Sequence, residues 1–205
     1  MRSHEVYDQL RSEIARGELR PNERLIEADL AQRLSVSRTP IRESIQRLSG
    51  DGLVVNRRRA WFVREHSPTE ITALYEVREA LEGYAARLAA ARATPDERRQ
   101  IVELSRFDLG DDPRHERFVD VNTRFHNAVA SAARNAPLTA LLAANREFYF
   151  NRRVSVAYTD ADVQLACDEH ADVAKAVAGG DGDAAEDITR RHVARSLALA
   201  IRKLA

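Results

Sequence analysis

The sequence of 205 residues has one cysteine and no long apolar run. A single cysteine, Cys167, excludes an internal disulfide framework and fits a reducing compartment. No stretch approaches the ~20 apolar residues that a membrane-spanning helix needs, and residues 1–4 do not resemble the start of a signal peptide. A metalloprotease motif, a glycine-rich phosphate loop and a Cys or Ser nucleophile motif are also missing. We therefore expect a cytoplasmic protein that is not membrane-bound, and the missing motifs argue against an enzyme.

Charge is balanced overall but divided unevenly along the chain. Hydrophobic residues make up 44% and charged residues 31%, as in ordinary soluble proteins, and the formal net charge is zero. Residues 1–66 hold 13 Arg and 10 Asp or Glu, a balance of +3, which leaves −3 for residues 67–205. If one part of the chain meets phosphate groups, this asymmetry indicates the first third.

The segment 25–63 carries the clearest structural pattern. A helical run over 27–34, a tight turn and a second helical run over 38–49 precede two β-prone runs, 53–55 and 61–63, which flank a basic patch at 57–59. This order of elements predicts a helix-turn-helix followed by a wing. The segment is therefore expected to bind duplex DNA.

The second helical run is the predicted recognition helix. Ile41, Ile45 and Leu48 form an apolar stripe that should face a small core, and Ser37 stands at the N-cap position. Arginine and glutamine are the side chains that read guanine and adenine in the major groove. A solvated helix face is the alternative for any single arginine. The predicted DNA-binding residues are Ser37, Arg38, Thr39, Arg42, Gln46, Arg47, Arg58 and Arg59.

Specific motifs extend this pattern to a known family. Gly17-Glu18-Leu19-Arg20-Pro21, Leu25, Glu27, Leu30-Ala31 and the run Val36 to Glu43 resemble the DNA-binding domain of GntR-family bacterial transcription regulators. The family usually has a glycine at the wing turn. Here that turn reads Arg58-Arg59-Ala60-Trp61, so the residue best suited to a left-handed turn is absent.

The remaining two thirds of the chain predict only helices. Helix-start signals occur at Ser67-Pro68, Thr94-Pro95, Asp112-Pro113, Thr159-Asp160 and Asp183, and Asn135-Ala136-Pro137 separates two further helices. No β-prone alternation follows Phe62. We therefore predict a mainly α protein with two domains: a winged helix-turn-helix over 1–66, with its small β-wing, and an antiparallel bundle of about six helices over 67–205.

Histidines on these predicted helices are candidate metal ligands. His126 lies one helical turn after Asn122, while His170 and His192 lie on two helices joined by a short glycine-rich turn. Three imidazoles and one oxygen would suit a divalent transition metal. From spacing alone, ordinary hydrogen-bonded helix residues are the alternative.

A second resemblance bears on this choice. Residues 70–204, including Asn122 to His126, Glu169-His170, His192 and Val77 to Glu82, resemble the FCD effector-binding domain of the FadR-like branch. The resemblance implies a metal held by an aspartate and three histidines, with a small carboxylate effector beside it. The ligands would be Asn122, His126, His170 and His192, with asparagine at the aspartate position. Zinc is the first expectation, and nickel or manganese are alternatives.

Arg78 is the candidate for holding the effector. A guanidinium can bind a carboxylate with two parallel hydrogen bonds, whereas an ion pair with Glu82, four residues on, is the alternative. Tyr149, Arg152 and Arg153 are further candidates for the pocket.

Together these features predict a ligand-responsive transcription regulator that binds a near-palindromic operator as a homodimer. A small carboxylate in a metal-containing helical pocket should modulate its DNA affinity. Two other hypotheses remain open from sequence: an architectural DNA-binding dimer without an effector, and a metal-dependent enzyme with a nucleic-acid-binding appendage.

Overall fold

The computed structural model describes residues 2–106, 116–146 and 158–204. The chain divides between Ser67 and Pro68 into two compact units. The first unit contains a small three-stranded sheet and the second, in its described residues, is entirely helical. The predicted mainly α fold class is confirmed.

The N-terminal unit is a winged helix-turn-helix. Its elements are α1 (Ser3–Ala15), β1 (Arg24–Leu25), α2 (Glu27–Arg33), α3 (Arg38–Gly50), β2 (Val54–Arg57) and β3 (Ala60–Val63). The strands form an antiparallel sheet in the order β1-β3-β2. Strand β1 was not predicted, because two residues are too short to show alternation. It exists through pairing with β3, in which Arg24 lies opposite Phe62 and Leu25 opposite Trp61.

Helix α3 is fixed by the apolar stripe expected from its sequence. Ile41, Ile45 and Leu48 are completely buried, and full burial of each such side chain contributes about 1.5–3 kcal/mol. Helix α1 packs against α3. There the Ser44 hydroxyl lies 2.8 Å from the carbonyl oxygen of Ser3, tying the two helices together. The opposite face of α3 is thereby left to solvent.

The wing turn forms without a glycine. Strands β2 and β3 are joined by a two-residue loop, Arg58-Arg59, between the paired residues Arg57 and Ala60. Both loop residues have positive φ, 51° at Arg58 and 64° at Arg59, as a type I′ turn requires. Left-handed backbone costs a residue with a Cβ about 1–2 kcal/mol, so the turn that carries the two arginines is locally strained.

The C-terminal unit has six helices in its described residues, in agreement with the predicted bundle. They are α4 (Pro68–Arg92), α5 (Pro95–Ser105), α6 (Glu116–Ala132), α7 (Ala136–Arg146), α8 (Asp160–Gly179) and α9 (Gly182–Leu204). The start predicted at Asp112-Pro113 lies outside the described residues. None of the described helices is long and apolar enough to cross a membrane.

Local signals set several of these helix ends. At the start of α5, Thr94 and Glu97 form a capping box, and Thr159 and Asp162 do the same for α8. Each box satisfies backbone N–H groups that a helix leaves without partners at its first turn. Helix α8 ends at Gly180, whose φ of 75° is the left-handed conformation common after a helix. The short turn to α9 follows from this stop.

Helices α4 and α9 make the most extensive packing of the unit. Gly83 permits their close approach, because a Cβ at this position would lie 2.6 Å from Cγ of Arg190. An apolar core between α4, α5, α6, α8 and α9 includes Phe125, Val129 and Val173. The inner faces of these helices therefore pack together. Polar residues on those faces are shielded from water and can be paired only within the unit.

Candidate functional site

The N-terminal unit presents a polar face on α3. Arg38, Thr39, Arg42 and Gln46 are all exposed. With 3.6 residues per turn, Arg38, Arg42 and Gln46 form one row along the helix, and Thr39 lies beside it. The structure therefore brings these four predicted residues to one surface, opposite the buried stripe.

Two other predicted residues occupy different positions. Ser37 is the N-cap residue of α3 with extended backbone, but its side chain makes no capping hydrogen bond. Arg47 lies about 140° around the helix from Arg42, and its guanidinium stacks over the ring of Tyr7 at 3.8 Å. The Tyr7 hydroxyl in turn donates to Asp51 at 2.7 Å. Arg47 thus joins α3 to α1 and is not part of the polar row.

Arg58 and Arg59 are exposed at the tip of the wing. At the base of the turn, Arg57 donates from its guanidinium to the side-chain oxygen of Asn22 at 3.0 Å. Long cationic side chains on a turn of fixed geometry are suited to reach a phosphate backbone.

Arg42 has a defined partner on α2. Its Nε and Nη2 atoms donate to the carboxylate of Glu27, with a shortest distance of 2.9 Å. This carboxylate raises the pKa of Arg42 through hydrogen bonding and charge. The guanidinium is still 61% exposed, whereas Glu27 is 24% exposed.

The C-terminal unit holds a buried cluster of three histidines. His126 on α6, His170 on α8 and His192 on α9 each offer a ring nitrogen, and these nitrogens lie within 4.8 Å of one another. The three residues are between 3% and 6% exposed. Phe125 stacks on the ring of His170 at 4.3 Å and limits its orientation. The structure therefore brings together all three histidines that the sequence proposed as ligands.

Two of the three histidines have a carboxylate beside Nδ1. Nδ1 of His126 is 2.9 Å from Glu82, and Nδ1 of His192 is 2.9 Å from Glu169. Glu169 also contacts Arg195. Carboxylates that hold one ring nitrogen typically aim the other at a metal. Sequence reasoning did not assign these roles, since neither partner lies on the same helix as its histidine.

The electrostatics favour neutral imidazoles at His126 and His170. Burial lowers the pKa of His126 to about 4, although Glu82 opposes the shift. Burial, with His192 and His126 nearby, lowers the pKa of His170 well below its usual value. Nε2 of both His126 and His170 is buried without a hydrogen-bond partner among the described residues. Buried imidazole nitrogens without partners that lie this close together suit the donor set of a divalent metal.

Asn122 lies one turn before His126 on α6 and is 5% exposed. Its carbonyl oxygen is the donor type that a metal shell accepts from asparagine. Asp120, by contrast, is an exposed residue paired with Arg124 at 3.7 Å. The nearby aspartate therefore does not replace Asn122 inside the unit.

Arg78 is buried beside the cluster. Its Nε donates to Glu82 at 2.7 Å, and both side chains are less than 5% exposed. Burial is the largest single influence on the pKa of Arg78 and lowers it, but the charge and hydrogen bond of Glu82, with smaller contributions from Tyr75 and Tyr158, together raise this pKa above its usual value. The ion pair considered from sequence is thus present, and Glu82 connects Arg78 to His126. Tyr149, Arg152 and Arg153 lie outside the described residues.

The cavity beside His126 is small. Its volume is about 10 Å³, and its lining includes Glu82, Phe125, Val129 and Thr189. This is room for about one water molecule, whereas organic ligands generally occupy several hundred Å³.

Comparison with known proteins gives both units an identity. Residues 2–63 match the bacterial regulatory proteins of the gntR family, and residues 73–195 match the FCD domain. The chain belongs to the gntR family and carries an FCD domain. The members of these families and the named relatives are transcription regulators rather than enzymes.

Individual relatives agree with this assignment. The chain is 31% identical over 199 residues to a protein of Paenarthrobacter nicotinovorans named "Probable D-xylose utilization operon transcriptional repressor", covering 94% of this chain and 86% of that one. It is 36% identical over 124 residues to the Nta operon transcriptional regulator of Aminobacter aminovorans, covering 58% of each. The solved structure of Escherichia coli McbR/YncC shares the fold, with a TM-score of 0.83 at 21% identity over 99% of this chain and 98% of that one.

Proposed function

We propose that this gntR-family regulator is a cytoplasmic, ligand-responsive homodimer that binds a near-palindromic DNA operator. In this proposal a small carboxylate, held in a metal-containing pocket of the FCD domain, modulates DNA affinity. The observation that carries it is the convergence of three buried histidine nitrogens within 4.8 Å. A cluster of this kind is costly to bury unless something binds its unused nitrogens.

The metal shell consists of His126, His170 and His192, with Asn122 completing it. Zinc suits this donor set best, and nickel or manganese are alternatives. When bound, the metal supplies a fixed positive charge that attracts an anion. Glu82 and Glu169 hold two of the imidazoles in the orientation that ligation needs.

The effector carboxylate would meet the metal and Arg78. Arg78 keeps its ion pair with Glu82 through Nε, and Glu82 in turn lies beside His126, so the guanidinium is buried close to the histidine cluster. Because the cavity beside His126 holds only about one water molecule, an organic effector bound in this cavity would have to move helices apart. Such a movement would couple ligand binding to a change in the rest of the regulator.

The DNA-binding surface in this proposal is the exposed face of α3 together with the wing tip. Arg38, Thr39, Arg42 and Gln46 would enter the major groove, while Ser37, Arg58 and Arg59 would meet the backbone or minor groove. Arg47 contributes indirectly, by holding α3 against Tyr7. A two-fold dimer would place two such faces on the half-sites of a near-palindrome.

One combined experiment tests the proposal. The purified protein is analysed for bound metals, and its affinity for an operator selected in vitro is titrated with and without a panel of small carboxylates. We expect close to one metal per chain and a change in affinity with at least one carboxylate that disappears after chelation. A metal-free protein whose DNA affinity responds to no carboxylate would favour the architectural dimer instead. Light scattering of the protein on DNA tests the dimer, and a monomer there would contradict it.

A further inference from the structure

We propose that Glu27 is a positioning residue that holds Arg42 ready to read a guanine in each half-site. This inference rests on the proposed DNA-binding function and adds a specificity determinant on α2, outside the recognition helix. The feature that carries it is the ion pair between the two residues on the exposed side of the helix-turn-helix.

The geometry of the pair leaves one edge of the guanidinium available. Arg42 uses Nε, at 3.2 and 3.3 Å, and Nη2, at 2.9 Å, toward the carboxylate of Glu27. A guanidinium has five N–H donors in one plane. The end that bears Nη1 and the second hydrogen of Nη2 therefore points away from Glu27. Two parallel donors on this end match O6 and N7 of guanine in the major groove.

Glu27 is well placed to act as a fixed support. It is the first residue of α2, where a carboxylate is favoured by the partial positive charge of the helix N-terminus. Helix α2 packs against α3, with Leu30 and Ala31 buried. A long arginine side chain that is already held loses less rotamer freedom on binding. The pair would thus favour one orientation of Arg42 before DNA arrives.

The negative charge of Glu27, considered alone, predicts that its removal strengthens DNA binding, whereas a positioning role predicts a loss of specificity. A carboxylate near DNA repels phosphate, so its loss should strengthen binding to any sequence. A positioning role predicts weaker discrimination at one base pair instead. The two effects can be separated because they differ in sign and in dependence on sequence.

The test uses the full-length protein and a duplex selected from a random library by the unsubstituted protein. Affinities are measured for this duplex, for every single-base change within a half-site, and for a random-sequence duplex. The variants are Glu27→Ala, Arg42→Ala, the double substitution, and Glu43→Ala as the matched control. Glu43 is an exposed carboxylate beside Arg42 in α3, so its removal makes the same charge change. Melting temperatures are recorded for all variants.

We expect Arg42→Ala to abolish a guanine preference at one position of the half-site. Glu27→Ala should reduce the preference at that same position by roughly 10-fold, with other positions unchanged and affinity for random duplex equal or higher. The double variant should resemble Arg42→Ala, because Glu27 acts through Arg42. Glu43→Ala should keep the full guanine preference.

Other outcomes would overturn the inference. An unchanged guanine preference in Glu27→Ala, beside a clear loss in Arg42→Ala, contradicts positioning but leaves the DNA-binding function intact. A uniform loss at all positions with a lowered melting temperature makes Glu27 merely structural. If the unsubstituted protein selects no sequence at all, the proposed function itself fails, and the inference fails with it.

Discussion

The candidate functional side chains are exposed in the N-terminal unit and buried in the C-terminal unit. In the N-terminal unit the guanidinium of Arg42 is 61% exposed. In the C-terminal unit the side chains of Glu82 and His126 are only 3% and 7% exposed. An exposed cation remains solvated and accessible to DNA even when it has a partner, whereas a buried ionisable group must be neutral or paired.

Because of this difference, DNA binding and folding stability should be independent in the N-terminal unit, whereas ligand binding and stability should be coupled in the C-terminal unit. Substituting an exposed residue of α3 should change DNA affinity with little effect on folding. Substituting a member of the histidine cluster should change both ligand binding and stability, because anything that binds only the folded state stabilises it. The following four predictions test this contrast, from the largest expected effect to the smallest.

Removing one ligand should eliminate stabilisation by metal. For the unsubstituted protein, zinc at a thousand times its dissociation constant should add about 4 kcal/mol to the free energy of unfolding. In His170→Ala this gain should be lost, because two imidazoles and an amide hold a dication poorly. Calorimetric melting with zinc and then with a chelator measures the effect. His4→Ala, an exposed histidine paired with Asp8, is the control, and an equal zinc shift in both variants would contradict the proposed shell.

Arg42→Ala should weaken operator binding by about 1–3 kcal/mol per half-site, because one bidentate base contact is lost. Its melting temperature should stay nearly unchanged, since the side chain covers no core. Arg47→Ala is the matched control on the same helix. It removes the contact with Tyr7 and should lower stability by about 0.5–1 kcal/mol without relaxing specificity. Gel-shift and melting measurements on both variants test this difference. A loss of stability in Arg42→Ala with a loss of specificity in Arg47→Ala would contradict it.

Asn122→Asp should tighten metal binding by roughly 10-fold, about 1.4 kcal/mol, because a charged oxygen replaces a neutral one. Without metal the same change should lower stability, because position 122 is buried and a buried carboxylate that no dication neutralises is costly. Competition with a chelating dye measures the affinity. Asp120→Asn, an exposed change on the same helix, should alter neither quantity. Weaker zinc binding in Asn122→Asp would place this residue outside the shell.

Arg59→Gly should relieve the left-handed strain of the wing turn and stabilise the protein by roughly 0.5–1 kcal/mol. The loss of one cation should at the same time reduce the salt dependence of DNA binding by about one phosphate contact per chain. Denaturant titration and affinity measured at several salt concentrations report the two effects separately. If the salt dependence of DNA binding is the same in Arg59→Gly as in the unsubstituted protein, Arg59 does not contact the DNA phosphate backbone.

Much of the fold could be predicted because its signals are local. The apolar stripe of α3, the capping boxes at Thr94 and Thr159, and the glycine stop at Gly180 each involve residues within one or two turns. Strand β1 could not be predicted, since its two residues become a strand only by pairing with β3. Periodicity also predicts that Arg38, Arg42 and Gln46 share one exposed face of α3, but not that Arg47 stacks on Tyr7 of α1; the DNA contacts of these residues stay a prediction.

For the histidine cluster the sequence determined which donor types were available and on which helices they stood. It could not determine that His126, His170 and His192 converge, because they belong to three separate helices and the distance between them depends on how the bundle packs. Glu82 and Glu169 become partners of histidines across helix contacts for the same reason. Sequence periodicity sets the face of each helix that is buried, while only tertiary packing decides which buried polar groups meet.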